Sequence, residues 1–149
     1  MIAIIDYGVG NLFSLKSSLA AIGREAVVTG DRAVLRAASH VILPGVGAFG
    51  DAAARLRAAG MAEAVLEAAA AGKPVLGICL GMQLLLERSF EYGEHPGLGL
   101  IPGEVRPIRD VIPAGLAVPH MGWNALRFPA ERPRSPIFAA LEEGEHVYF

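Results

Sequence analysis

Val75-Leu76-Gly77-Ile78-Cys79-Leu80-Gly81-Met82-Gln83 runs from a short apolar stretch, through a cysteine flanked by glycines, into a segment of helical period. The pattern is G-x-C-x-G, a thiol version of the G-x-S-x-G turn that sets a nucleophile between a strand and a helix. Such a turn holds the nucleophile in a strained conformation while neighbouring chain passes close by, and residues without a Cβ avoid the clash. A strand feeding a helix is half of a βαβ unit, and the same alternation repeats along the chain. Runs rich in Ile and Val at Ile2–Asp6, Glu25–Thr29, His40–Leu43 and Pro74–Cys79 alternate with helical candidates at Asn11–Ile22, Ala33–Ala38, Asp51–Ala59, Met61–Ala71 and Met82–Arg88. Gly23, Gly60 and Gly72 stand where helix stops belong. Continuously apolar strands suit a parallel sheet covered by helices on both faces. The expected fold is therefore α/β, a three-layer, doubly wound, mostly parallel sheet.

From Phe90 onward the chain turns to Gly- and Pro-rich loops with shorter strand candidates at Glu104–Ile108 and Trp123–Phe128 and a short helix after Ser135. This part is expected to form an antiparallel extension. His146-Val147-Tyr148-Phe149 reads as the start of a strand. The expectation is one domain over residues 1–149, truncated at its C-terminus.

A length of 149 residues suits one continuous core. With 53% hydrophobic and 19% charged residues the chain is far from disordered compositions, and a net charge of -2 offers no general attraction to nucleic acid or anionic lipid. The single cysteine cannot form an internal disulfide, and the N-terminus has no basic start of the signal-peptide kind. No run approaches the roughly 20 apolar residues of a membrane helix. A cytosolic protein is expected.

Cys79 has two readings. It can be a small buried hydrophobe, or a nucleophile at the C-terminal end of a central strand, where open α/β sheets place their ligands. Pro44-Gly45-Val46-Gly47 follows another strand and so belongs to the same rim. Attack of a thiolate on a carboxamide creates an oxyanion, best held by backbone N–H groups fixed in advance. The Val46 and Leu80 N–H groups are the candidates, against the reading of an ordinary tight turn. A third glycine turn, Asp6-Tyr7-Gly8-Val9-Gly10-Asn11, follows the first strand. It lacks the third glycine of a dinucleotide loop, because Phe13 fills that place, so a shaped rim loop is the better reading.

These three turns, together with Val118-Pro119-His120-Met121-Gly122-Trp123-Asn124, resemble the class I (triad) glutamine amidotransferases, over Ile2 to Phe149. The resemblance implies that family's fold, with its flavodoxin-like core, and a glutaminase activity. Cys79 matches the nucleophile that forms a γ-glutamyl thioester and releases ammonia, after which water frees glutamate; no cofactor and no metal is called for. Gly45, Val46 and Gly47 match an oxyanion turn that reorients on activation, with Leu80 beside the thiol. Gln83 matches a position that holds the substrate glutamine, and Glu91 is a candidate for its α-ammonium. Read by themselves, Gln83 is a solvated amide and Glu91 a loop carboxylate. D-Y-G-x-G-N, L-P-G-V-G and P-H-M-G-W-N point to the members that form a heterodimer with a (β/α)8-barrel cyclase in histidine biosynthesis, with Asn11, His120 and Trp123 as interface candidates. A single Trp is equally a core residue.

The family's general base His and orienting Glu follow a Y-F-x-H-S-Y-type strand and would fall a few residues beyond Phe149. His40, His95, His120 and His146 read as structural, solvated or partner-facing instead. Three other readings stand beside the glutaminase: a different triad amidotransferase or cysteine hydrolase of the same fold, a non-catalytic module without its base, and a flavodoxin-like nucleotide binder.

Overall fold

The structure is a computed structural model that describes residues 1–149, and the chain divides into two compact units, Met1–Pro107 and Ile108–Phe149. In the first unit, strands β1 (Ile2–Ile5), β2 (Ala26–Thr29), β3 (His40–Leu43) and β4 (Val75–Gly77) form an all-parallel sheet in the order β2-β1-β3-β4. Helix α1 (Leu12–Ala21) joins β1 to β2, α2 (Arg32–Ala37) joins β2 to β3, and α3 (Phe49–Ala58) with α4 (Met61–Ala70) join β3 to β4.

The strand order reverses between β1 and β3. With right-handed crossovers, that reversal puts α1 on one face and α2 to α4 on the other. Burial agrees: Ile5, Val41 and Leu43 cluster with Leu35, Phe49, Leu56 and Val65. The alternate residues Ile4 and Ile42 are also buried but point to the opposite face. The α1 face is the barer one. Helix α1 has no buried residue, Phe13 on it is 82% exposed, and Leu76 of β4 is half-exposed. The expectation of strands covered on both faces thus holds for β1 and β3 and fails for β4.

Helix α5 is shorter than its sequence suggests. It covers Leu80–Leu84, and the residues expected to continue it enter β5 (Leu86–Ser89). The reason is tertiary: the Leu85 carbonyl accepts from Leu100 N–H at 2.9 Å and Ile101 N–H at 3.0 Å. Pairing with a distant segment overrides the helical preference of this Leu-rich run. β5 pairs antiparallel with β6 (His95–Pro96) and parallel with β7 (Ile101–Val105), so this extension is mixed rather than antiparallel. β7 also lies earlier than the expected Glu104–Ile108.

The second unit holds a two-stranded antiparallel ladder of β8 (Trp123–Ala125) and β9 (His146–Tyr148), with 3-10 turns at Ile108–Asp110 and Pro136–Phe138. None of its side chains is fully buried. Phe128 packs against Phe138 at 5.6 Å between ring centroids, and the Arg134 guanidinium lies 4.0 Å over the Phe128 ring.

Candidate active site

All three glycine turns leave the C-terminal ends of β1, β3 and β4, around the point where the strand order reverses. Open α/β sheets bind their ligands there. Cys79 sits between β4 and α5 with φ 55 and ψ -120, and it is exposed. A non-glycine residue in that region costs of order 1–3 kcal/mol, so the surrounding contacts must hold it. They do: Ile78 N–H donates to the Leu43 carbonyl at 3.0 Å, and Gly81 N–H to the Ile78 carbonyl at 3.0 Å.

The flanking glycines are required by close approach. A Cβ on Gly77 would collide with the backbone of Met82, and one on Gly81 with the Leu43 carbonyl. Neither obstacle is a flexible side chain. Gly81→Ala is therefore expected to lower the free energy of unfolding by about 3 kcal/mol, as overpacking against rigid backbone does. Urea denaturation measures it, and a loss below about 0.5 kcal/mol would contradict this packing.

The Pro44–Gly47 turn meets the cysteine turn backbone to backbone. A Cβ on Gly45 would stand 2.7 Å from Gly81 N and 3.0 Å from both Leu80 Cβ and Tyr7 Oη. The two candidate oxyanion donors differ in setting. Leu80 N–H opens α5, where helical N–H groups have no partner within the helix. Val46, half-exposed, makes no backbone hydrogen bond through its N–H.

Gln83 is half-buried on α5, with its N–H bonded to the Cys79 carbonyl at 3.3 Å. Glu91 does something that its surroundings in sequence do not announce. Its Oε2 accepts from Phe49 N–H at 2.7 Å, capping α3 where the preceding Ala48 provides no side-chain cap. That external cap lets α3 begin at Phe49, ahead of the expected Asp51. Glu91 N–H in turn donates to Oγ of the fully buried Ser89 at 3.1 Å. The carboxylate is thus fixed beside the end of the Pro44–Gly47 turn, with acceptor capacity to spare.

No histidine in the first unit hydrogen-bonds the thiol. His40 lies at the start of β3, the end away from Cys79, with Nδ1 3.0 Å from Ser39 Oγ. The His95 ring covers Gly50 of α3, where a Cβ would come within 2.8 Å of it. Among the interface candidates, Asn11 is exposed and caps α1, accepting from Ser14 N–H at 3.2 Å. In the second unit His120 Nε2 lies 2.6 Å from Asn124 Nδ2. Trp123 stacks edge-on against Tyr148 at 5.6 Å and is 68% exposed, so it is not a core residue of that unit.

Sequence reading passed over Tyr7. It is buried, and its hydroxyl donates to the Pro44 carbonyl at 2.8 Å. Burial pushes its pKa to about 12, so the hydroxyl remains a donor throughout the neutral range. The available signal is an aromatic residue with a polar tip placed directly after a buried strand, within a rim turn.

A family model described as glutamine amidotransferase class-I matches residues 3–143. The chain belongs to that family. Among curated relatives, the imidazole glycerol phosphate synthase subunit HisH of Wolinella succinogenes is 49% identical over 150 residues, covering 100% of this chain and 72% of that protein. The HisH subunit of Sulfurimonas denitrificans is 51% identical over 150 residues, covering 100% of this chain and 70% of its own length. A crystal structure of a glutamine amidotransferase superposes with a TM-score of 0.66 at 21% identity, over 84% of this chain and 64% of that one, and supports the fold. No helix is long and apolar enough to cross a membrane.

Proposed function

We propose that this chain is the glutaminase of an imidazole glycerol phosphate synthase of the HisH type, acting in the cytoplasm. Cys79 Sγ attacks the side-chain carboxamide of glutamine. The resulting oxyanion is held by the N–H groups of Leu80 and Val46, ammonia leaves, and water hydrolyses the γ-glutamyl thioester to glutamate. Gln83 and Glu91 hold the substrate, Glu91 by its α-ammonium. The observation that carries this reading is the convergence of the three rim turns on one strained, exposed thiol.

The ammonia passes to a HisF-type (β/α)8-barrel cyclase, which uses PRFAR to make imidazole glycerol phosphate and AICAR. Ammonia in neutral water is mostly protonated and no longer a nucleophile, which is the chemical reason for a docked partner. Exposed Trp123 and His120 in the second unit, and exposed Asn11 in the first, are the interface residues in this reading; exposed aromatics anchor interfaces well. The match covers 72% and 70% of the two relatives' lengths, and in this reading the mechanism also calls for a general base and an orienting carboxylate.

The test is intact mass spectrometry of the complete subunit with its cyclase, before and after a glutamine-analogue electrophile such as diazo-oxo-norleucine. The expected result is one adduct, mapped to Cys79 and suppressed by excess glutamine. No adduct, or one that glutamine does not compete, refutes the assignment.

A further inference from the structure

We propose that Tyr7 is a positioning residue for the oxyanion turn, its hydroxyl pinning the Pro44 carbonyl so that Gly45 is fixed against the cysteine turn while the Val46 peptide stays free to move. The inference rests on the glutaminase reading of the same site. Proline has no N–H, so its carbonyl is the one backbone group through which Pro44 can be hydrogen-bonded, and Tyr7 takes it at 2.8 Å. The β1 turn closes on the proline ring as well: a Cβ on Gly10 would lie 3.1 Å from Pro44 Cβ and 3.3 Å from Cγ. The Tyr7 hydroxyl also stands 3.0 Å from the Gly45 Cβ position, which is itself 2.7 Å from Gly81 N. One phenol thus braces Pro44 and Gly45 against the nucleophile's own turn.

Past Gly45 the bracing ends. Val46 is half-exposed, and a Cβ built on Gly47 meets nothing within 4 Å. Tyr7 therefore marks the boundary between backbone that is held and backbone that can reorient. A tyrosine that merely fills the core would leave catalysis alone when its hydroxyl is removed. A pin would not, because a misaimed oxyanion donor costs on the order of a hundredfold in kcat.

The experiment uses the complete subunit with its cyclase partner, after wild-type glutamine hydrolysis has been confirmed; an inactive wild type would refute the glutaminase reading and not the pin. In Tyr7→Phe, kcat is expected to fall about 10- to 100-fold with KM within about twofold, because the substrate-holding residues are untouched. Alkylation of Cys79 by iodoacetamide should keep its wild-type rate, because the thiol is untouched. Unchanged kcat with only a lower melting temperature overturns the proposal, as does a parallel fall in the alkylation rate. A second variant guards against misfolding: p-aminophenylalanine at position 7 keeps the ring and a donor. Wild-type kcat in that variant supports the pin, and a folded protein with kcat tenfold lower overturns it.

Discussion

Cys79→Ala leaves a folded subunit that no longer hydrolyses glutamine. Without the sulfur there is no atom to carry the γ-glutamyl group, and water must attack the carboxamide directly. Loss of a covalent nucleophile costs on the order of 10⁴-fold or more in kcat, leaving only what binding and oxyanion stabilisation supply. The fold should tolerate the change for a specific reason. The positive φ at Cys79 is a backbone strain that alanine, with the same Cβ, bears equally, and the residue is exposed, so no cavity opens. Urea unfolding should therefore stay within about 0.5 kcal/mol of wild type, and titration calorimetry should show the cyclase binding as before. Hydrolysis within tenfold of wild type would remove Cys79 from the mechanism.

The parts of this molecule that were legible in its sequence are those governed by local constraints. β1 and β3 read directly because both faces are buried, which leaves no polar residue at Ala3, Ile4, Ile5, Val41, Ile42 or Leu43. The cysteine turn read directly because Gly77 and Gly81 have no room for a Cβ. Features built from distant partners did not show. The start of α3 depends on a carboxylate 42 residues away, and the Tyr7 bond spans 37 residues. The end of α5 is set by pairing with Leu100 and Ile101, and a Leu-rich run carries no mark of that. Trp123 was ambiguous for a related reason: whether an aromatic ring is core or surface depends on how much chain covers it, and the second unit covers it with little beyond Tyr148. The role of Glu91 illustrates the same limit. Family resemblance points to substrate binding, and only the geometry adds that one of its oxygens holds the first N–H of α3.

Glutamine hydrolysis is expected to be slow for the subunit alone and to rise about a hundredfold when the cyclase and its nucleotide ligand are added. The two candidate oxyanion donors have unequal settings. Leu80 N–H is fixed by the helix it opens and by the packing of Gly81 under the Leu43 carbonyl. Val46 N–H lies on the unbraced side of Gly45, followed by Gly47 at φ 90, a conformation only glycine adopts cheaply. The peptide that carries this N–H joins Gly45 to Val46, and glycine on its N-terminal side, with a second glycine at position 47, lets it reorient at low cost. One well-aimed donor is worth about 10²–10³ in kcat, so an enzyme whose Val46 peptide is misaligned in the free state gains about that factor when the peptide is set. A partner can shift such an equilibrium only by its differential affinity for the two states, here about 2.7 kcal/mol for a hundredfold effect. The gain is expected in kcat rather than KM, because Gln83 and Glu91, the proposed substrate-holding residues, stand outside the Pro44–Gly47 turn. Steady-state glutaminase assays with and without the cyclase and its ligand decide it. Equal rates would mean that the turn is already aligned in the free subunit, and that Gly45 serves the close approach to Gly81 and Leu80 rather than a switch.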